Sequence, residues 1–368
     1  MRRRVAVGAG ALVLLAAGAG TGGAVESTSA LSSVRPGAVF NNPLGGRDAS
    51  LRVVRHVNQA IAAAPAGSTI RIATYSLRLR STAERLEDAA RRGVRVRMVL
   101  NGDTNQPGPL ISGLRRAGAT VVRTRGTART SGSGNMHVKL YLFSRSGLSR
   151  EVAMLGSANL ATGNIGEMWT DLYTSVGATG LYDELVRLHR ELMRDQPVDP
   201  PYRVVTIGPH RLTVFPHPGT GPETDDVVVA LRGTDPEGAV VRASVYTWQD
   251  ARGQDIAREL ARLRTEGADV AVIHNGISSE VRRILDQAGV PTHDSRLDVD
   301  RDGVKDYYVH HKYFLVGHPD QERWQTYTGS HNWNVGSLRR ADELMLRIDG
   351  RATFEDYLAN FQEVRRAG

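Results

Sequence analysis

The feature that most constrains the fold is a pair of short motifs repeated at a constant distance. The first copy reads His137-Val138-Lys139 and continues with Gly156-Ser157-Ala158-Asn159, and the second reads His310-His311-Lys312 and continues with Gly329-Ser330-His331-Asn332. Both parts recur after 173 residues, and so does an apolar series, Leu181, Leu185 and Leu188, which returns as Phe354, Leu358 and Phe361. A shared register from motif to closing helix predicts an internal duplication.

The residue types of the motifs predict their chemistry. Residues two apart on a strand share one face, so the histidine and lysine of each copy should point to the same side. Two imidazoles and two ammonium groups suit a phosphodiester: one imidazole attacks phosphorus, the other protonates the leaving alkoxide, and the lysines neutralise the non-bridging oxygens. Asn159 and Asn332 can donate hydrogen bonds to those oxygens, and Gly156 and Gly329 allow a close approach of the backbone.

Lysine usage supports a specific role for the motif cations. The chain contains three lysines, Lys139, Lys305 and Lys312, beside 44 arginines. Two of the three lie in the motifs, which indicates that a compact ammonium group is needed there.

The repeated H-x-K and G-S-x-N segments resemble the phospholipase D superfamily, in its secreted bacterial form. The resemblance implies a covalent phosphohistidine, with His137 as nucleophile because the first-half histidine has that role in two-copy relatives, and His310 as general acid and later base. The residues themselves do not fix this order, so the pair can be reversed. The resemblance also implies that Ser157 and Ser330 add hydrogen bonds to the substrate and that no cofactor is required.

The chain departs from the full family signature, H-x-K-x(4)-D, at two positions. Ser144 and Gly317 occupy the positions of the aspartate. A residue seven positions after the histidine has the opposite parity on a strand, so we expect this position to face away from the chemistry. In the family an acidic residue after the G-S-x-N segment orients a histidine. Glu343 fits in the second half, whereas in the first half Asp171 fits with a one-residue insertion and strict register gives Thr170.

The fold class expected is α/β, with two similar mixed-sheet halves and the active site at their interface. Alternating strand and helix patterns favour such layered halves. One of these helices is predicted at 82–92, with Ser81 as its N-cap and Gly93 as its stop. Three prolines between positions 195 and 201 indicate a stiff connection. The predicted organisation is a signal peptide at 1–30, an N-terminal half at 36–195, a linker at 196–202 and a C-terminal half at 203–368.

The N-terminus and the composition bear on localisation. Arg2-Arg3-Arg4 precedes an apolar run of small residues, which is typical of a secretory signal, with an uncleaved anchor as the alternative. Secretion to the extracellular space is therefore expected. With no cysteine, disulfides and thiolate metal sites are excluded, and the net charge of +8 favours polyanionic partners such as nucleic acid or anionic lipid.

The substrate is left open between classes. The size and secretion signal resemble a phospholipase D that removes or exchanges the head group of glycerophospholipids, so a phospholipid membrane surface is the expected partner, and no obligate protein partner is evident. Trp169, Trp248 and Trp333 could line an apolar mouth or belong to the core. An Arg-rich loop at 123–129 and the high charge favour the alternative of a secreted endonuclease. A non-catalytic binder of phospholipid or nucleic acid is the third possibility, motivated by Ser144 and Gly317.

Two further segments of the sequence bear on the site. Residues 124–134 lack periodicity and precede His137, which is typical of a lid or of a plain surface loop. Asp298, Asp300, Asp302 and Gly303 resemble the start of a calcium loop, but Val309 stands where the bidentate glutamate belongs. The sequence therefore predicts no required metal and leaves a weak calcium site as an alternative to an Asp-rich turn.

Overall fold

The computed structural model describes residues 32–102, 104 and 106–367, so the predicted signal peptide at 1–30 lies outside the described residues. The first half forms a seven-stranded mixed sheet, in the order β1-β8-β6-β5-β2-β3-β4. Its strands are β1 (Gly37–Phe40), β2 (Thr69–Thr74), β3 (Arg95–Asn101), β4 (Thr120–Thr124), β5 (Leu140–Ser146), β6 (Ser149–Gly156) and β8 (Asp171–Val176). β2, β3 and β4 run parallel, and the other neighbours pair antiparallel.

The second half repeats this sheet with one additional edge strand. Its eight strands have the order β13-β12-β11-β15-β16-β17-β10-β9. They are β9 (Arg203–Ile207), β10 (His210–Val214), β11 (Val240–Trp248), β12 (Asp269–Ile277), β13 (Thr292–Asp294), β15 (Lys312–His318), β16 (Arg323–Gly329) and β17 (Leu344–Asp349). Here β11, β12 and β13 are parallel, as β2, β3 and β4 are in the first sheet. The expected pair of similar mixed-sheet α/β halves is confirmed.

Helices cover both faces of each sheet. They are α1 (Gly46–Ser50), α2 (Arg52–Ala62), α3 (Arg80–Arg91), α4 (Gly108–Arg116), α5 (Gly163–Gly166), α6 (Thr179–Arg194), α7 (Asp226–Arg232), α8 (Asp250–Thr265), α9 (Ser279–Gln287), α10 (Val335–Arg339) and α11 (Arg351–Ala367). The apolar sides of α2, α3 and α4 pack on the outer face of the first sheet, and those of α7, α8 and α9 on the outer face of the second. In the described part of the chain, no helix has the length and apolar character needed to cross a membrane.

The two closing helices, α6 and α11, lie between the sheets. Leu181, Leu185 and Leu188 of α6 are fully buried in one cluster that contains residues of both sheets, such as Leu142 of β5 and Leu346 of β17. In the same way α11 joins Tyr313 and Leu315 of β15 to Phe40 of β1. The halves therefore share an interior core, built from the apolar series that repeats with the motifs.

Several local expectations needed correction. Ser81 does not cap α3: the helix begins at Arg80, and its N-cap position, Leu79, makes no side-chain capping bond. The motif strands are shorter than expected, because β5 begins at Leu140 and β15 at Lys312. The motif histidines, His137 and His310, therefore precede the regular strands. Gly93 ends α3 as predicted, in a backbone conformation with φ of +90° that suits glycine.

Candidate active site

The candidate site lies where the two halves exchange short parallel bridges. Met136 pairs with Asp342, and β14 (Tyr308–Val309) pairs with β7 (Met168–Trp169). The His137 backbone N–H donates to the Asp342 carbonyl over 3.0 Å, and the His310 N–H donates to the Trp169 carbonyl over 2.8 Å. Asp342 and Trp169 are themselves 173 residues apart, so these two backbone contacts between the halves follow the same repeat as the motifs.

A cleft of about 730 Å³ opens at this interface. Its lining includes five of the residues singled out by the sequence, namely His137, Asn159, His310, Asn332 and Glu343. The remaining lining residues are Tyr75, Ser133, Gly134, Asn135, Tyr246, Asn334, Gly336, Ser337, Arg340 and Ala341. Both motif copies thus contribute to one site.

His137 is held by a carboxylate. Its Nδ1 lies 2.8 Å from Oε1 of Glu343, so Nδ1 donates its proton there and Nε2 is the nitrogen without a proton. Burial lowers the pKa of His137, and the Glu343 carboxylate partly opposes that change. The imidazole is therefore neutral near neutral pH and retains a nucleophilic lone pair.

His310 is held by a neutral group instead. Its Nδ1 lies 3.0 Å from the carbonyl oxygen of Ser157, which can only accept, so Nδ1 carries the proton. Burial, followed by the charges of Lys312 and Lys139, holds the pKa of His310 well below its usual value. The two imidazoles are related by the repeat but have different electrostatic environments.

Lys139 and Lys312 are buried beneath the histidines. Each ammonium donates to the carbonyl of the histidine two residues earlier, over 2.7 Å for Lys139 and 2.5 Å for Lys312. Burial lowers the pKa of Lys139 to about 7 and lowers that of Lys312 well below its usual value. Desolvated cations are strong partners for a phosphoryl group that brings its own negative charge.

Two tyrosines that were not predicted from the sequence complete the site. The Tyr75 ring lies 5.0 Å from the His137 ring and 5.6 Å from the Lys139 ammonium. Tyr246 takes the equivalent position, 4.9 Å from both the His310 ring and the Lys312 ammonium. These tyrosines are 171 residues apart, so a search at the repeat distance does not connect them, but each lies near the end of a central predicted strand.

The serines of the motifs bind carboxylates within the fold. Ser157 Oγ donates to Asp171 Oδ1 over 2.6 Å, and Ser330 Oγ donates to Glu343. Both serines are fully buried. The expectation that their hydroxyls bind substrate is therefore wrong for this structure, because the hydroxyls position the acidic residues.

Asp171 does not contact either motif histidine. Its carboxylate accepts from Ser157, Thr328 and Tyr357, and burial raises its pKa. The strands keep strict register, with Asp171 at the position of Leu344 and Thr170 at that of Glu343, and Thr170 bonds the side chain of Asn41. The histidine-orienting role expected for Asp171 is thus not seen. Of these two acidic residues, only Glu343 bonds a motif histidine, His137.

Gly156 and Gly329 are required by strand packing rather than by substrate. A Cβ on Gly156 would lie 2.4 Å from the Asp171 carbonyl oxygen, and one on Gly329 would lie 2.2 Å from that of Leu344. The predicted close approach of the backbone is real, but it is to the neighbouring strand.

The two asparagines line the cleft as expected. Asn159 Oδ1 accepts from Thr74 Oγ1 over 3.3 Å, which leaves its amide N–H groups for a ligand. Asn332 Oδ1 is buried without a hydrogen-bond partner among the described residues. Both side chains line the cleft, where an amide N–H can donate to a bound ligand.

Ser144 and Gly317, which replace the family aspartate, lie at the far ends of the motif strands. Ser144 Oγ accepts from the Thr69 backbone N–H over 2.9 Å. A Cβ on Gly317 would lie 2.7 Å from the Phe354 ring of α11, so this fold has no room for an aspartate there. Neither position borders the cleft.

The acidic loop differs from the expected ligand set. The three carboxylates that come within 4.8 Å of one another belong to Asp298, Asp300 and Asp306. Asp302 instead accepts from the Val304 backbone N–H. Asp302 therefore drops out of the calcium candidate, and the weak calcium site itself stays a prediction.

The loop at 124–134 is anchored rather than free. Arg129 is fully buried and donates to Glu191 over 2.9 Å and to the Phe215 carbonyl over 2.8 Å. Arg129 therefore cannot meet a nucleic-acid backbone, whereas Arg123 and Arg125 of the same basic stretch are exposed. Trp169, Trp248 and Trp333 are also buried, so they belong to the core and not to an apolar mouth.

Comparisons with known proteins place the chain in a family. The family described as "Cardiolipin synthase, PLD-like domain" matches residues 58–176 and 240–365. No curated protein sequence matches the chain significantly.

Two solved structures share the fold at low sequence identity. Polyphosphate kinase from Porphyromonas gingivalis has a TM-score of 0.62 and 15% identity over 88% of this chain and 46% of its own, so this chain spans about half the length of that enzyme. Phosphatidylserine synthase from Haemophilus influenzae has a TM-score of 0.60 and 12% identity over 86% and 84% of the two chains. Because the family match covers more than half of the chain and both motif copies, the chain belongs to the phospholipase D superfamily of phosphodiesterases and phosphotransferases.

Proposed function

We propose that this chain is a secreted phosphodiesterase that removes or exchanges the head group of glycerophospholipids through a phosphohistidine. The observation that carries the proposal is one cleft with two imidazoles in unequal settings, His137 against Glu343 and His310 against a carbonyl. The buried ammonium groups of Lys139 and Lys312 donate to the backbone carbonyls of these two histidines.

The unequal settings favour His137 as the nucleophile. When Nε2 of an imidazole bonds to phosphorus while Nδ1 keeps its proton, the ring becomes cationic. A carboxylate on Nδ1 stabilises that cation, whereas a carbonyl does so more weakly. Glu343 meets this requirement for His137, and the described residues provide no carboxylate on Nδ1 of His310.

The reaction has two balanced steps. In the first, His310 has taken up a second proton, on Nε2, as the anionic phosphodiester enters the cleft. His137 Nε2 bonds to phosphorus, the bond from phosphorus to the head-group oxygen breaks, and the departing alkoxide takes that Nε2 proton from His310. In the second, His310 takes a proton from water or an acceptor alcohol, whose oxygen displaces Nε2 from phosphorus. Lys139, Lys312, Asn159 and Asn332 hold the non-bridging oxygens in both steps.

Endonuclease action is the second candidate. The cleft is lined almost entirely by polar and small side chains, and the chain carries a net charge of +8. Both features suit a nucleic-acid backbone as well as a lipid head group.

Release of head group from phosphatidylcholine and phosphatidylglycerol vesicles by the purified mature protein tests the proposal. A plasmid-nicking assay on the same preparation tests the nuclease. His137→Ala should abolish release, and His293→Ala, in a histidine outside the cleft, should not. Nicking without lipid turnover would establish the endonuclease, and tight polyanion binding without either activity would replace the enzyme by a binding protein.

A further inference from the structure

The two asparagines of the cleft are held in different ways. In the first half, Thr74 Oγ1 donates to Asn159 Oδ1 over 3.3 Å, which orients the side-chain amide. β2 and β11 pair with their motif strands in the same register of the repeat, so Val245 stands in the second half where Thr74 stands in the first. A valine has no hydroxyl, and Asn332 Oδ1 is buried without a hydrogen-bond partner among the described residues. The Asn332 side chain therefore lacks the restraint that Asn159 has.

The backbone of Asn332 is held instead by a buried arginine. Arg252, on α8, donates from Nη1 to the Asn332 carbonyl over 2.7 Å and to the Asn334 carbonyl over 3.4 Å. A hydrogen bond from a charged donor is stronger than one between neutral groups. Because Asn332 and Asn334 both line the cleft, this one guanidinium fixes the path of the chain along that wall.

The guanidinium is fixed in turn by Asp225. Arg252 Nε donates to Asp225 Oδ2 over 2.7 Å, and Nη2 donates to Oδ1 over 3.1 Å, so the pair is bidentate. Both side chains are only 2% exposed. The carboxylate also caps α7, since Oδ1 accepts from the Val227 backbone N–H over 3.0 Å. α7, α8 and the second motif segment therefore meet at one buried ion pair, and breaking it would leave a buried charge unpaired.

From these contacts we propose that Arg252, fixed by Asp225, is a positioning residue that directs the Asn332 amide toward the reacting phosphoryl group. In the second half it replaces the restraint that Thr74 supplies in the first. The inference rests on the proposed function, in which Asn332 holds a non-bridging oxygen. Neither Arg252 nor Asp225 lines the cleft, so both act through the asparagine. A lysine would keep the charge but lacks the planar fork that bonds Asp225 and the Asn332 carbonyl together.

Two double-mutant cycles test the inference. Arg252→Lys should lower kcat on short-chain phosphatidylcholine roughly 10- to 100-fold, because a small misplacement of a group that binds the transition state is costly. In an Asn332→Ala background the same change should have little further effect, whereas in an Asn159→Ala background it should act in full. Thr74→Val, the matched change in the first half, should show the reverse dependence.

A purely structural role gives a different result. Equal losses of kcat in the Asn332→Ala and Asn159→Ala backgrounds, or an unchanged kcat, would overturn the inference while the proposed function stands. Asp225→Asn, which keeps Arg252 but weakens its anchor, repeats the cycle with a milder change should Arg252→Lys fail to fold. Arg258→Lys, an exposed arginine on the same helix, should leave kcat and KM unchanged.

Binding of inorganic phosphate, measured by calorimetry, is a readout that does not need turnover. Arg252→Lys should weaken it when Asn332 is present and leave it unchanged in Asn332→Ala. A wild type that turns over no lipid but shows this dependence would overturn the proposed function and keep the inference. Binding that weakens regardless of Asn332 would overturn the inference, and a wild type with neither turnover nor phosphate binding would overturn both.

Discussion

At the scale of single residues, the two buried carboxylates next to the motifs have different tasks. Glu343 bonds both His137 and Ser330, whereas Asp171 bonds three hydroxyl groups and no imidazole. The repeat places a threonine, Thr170, where a second histidine-binding acid would stand. The asymmetry of the chemistry therefore depends on one side chain.

Exchanging each acid for its amide separates these tasks. Glu343→Gln should lower kcat about a hundredfold, because the cationic phosphohistidine loses its counter-charge. Asp171→Asn should change kcat little but lower the free energy of unfolding by about 1 to 3 kcal/mol, since an amide serves three donors less well. Steady-state kinetics and urea unfolding of both variants check this, and a larger kcat loss in Asp171→Asn would contradict it.

Burial of the Lys139 ammonium group should lower the free energy of unfolding, although the group is needed for activity. Its pKa is about 7 in the folded chain and about 10.4 in an unfolded one, so the unfolded state binds more protons between these values. Stability should therefore rise as the pH increases from 7 toward 10.4. Lys139→Met should be inactive yet more stable at pH 7 by about 1 to 4 kcal/mol.

Denaturant unfolding at pH 7 and pH 9 measures this effect. The advantage of Lys139→Met over wild type should shrink at the higher pH. A variant less stable than wild type at pH 7 would show that the ammonium is stabilised by its surroundings rather than penalised by burial.

Single residues also show which parts of the site the sequence could predict and which it could not. Repetition revealed His137, Lys139, His310, Lys312 and the asparagines, because identical residues at one offset do not need a structure to be compared. It could not reveal what Ser157 and Asp171 bind, since that depends on which strand ends lie together. Tyr75 and Tyr246 escaped because loops of unequal length shift their offset by two residues.

At the scale of elements, the second motif strand, β15, ends against the closing helix α11. Gly317 lies under the Phe354 ring of α11, so Gly317→Ala should lower the free energy of unfolding by about 1 to 3 kcal/mol through overpacking. Ser144→Asp should be far milder, because the side chain is partly exposed and can still accept from Thr69. Thermal unfolding of the two variants distinguishes these effects.

Neither change should increase specific activity, since both positions lie away from the cleft. A rise in turnover in Ser144→Asp would show that the missing aspartate matters for catalysis.

The helices and strands could be predicted from the periodicity of apolar residues and from glycines that end helices, as at Gly93. The first turn of α3 could not be predicted in this way. The helix begins at Arg80, before Ser81, and has no side-chain cap that the local sequence would reveal.

At the scale of the whole molecule, the two halves are interdependent. The apolar side of α6 is covered by the second sheet as well as by its own, and α11 reaches β1 of the first half. The halves predicted at 36–195 and 203–368 should therefore not fold alone, and the intact chain should unfold in one transition. Two separate calorimetric transitions, or a soluble folded half, would contradict this view.

The central claim is that phosphorus bonds covalently to His137 and that His310 frees it. Acid-labile phosphoryl adducts can be located by peptide mass spectrometry after rapid quenching at alkaline pH. In His310→Ala, which keeps the nucleophile and lacks the base for the second step, a short-chain phospholipid with a good leaving group should load the peptide that contains His137. Loading of His310 in the His137→Ala protein, or turnover by wild type with no adduct in either variant, would contradict the account.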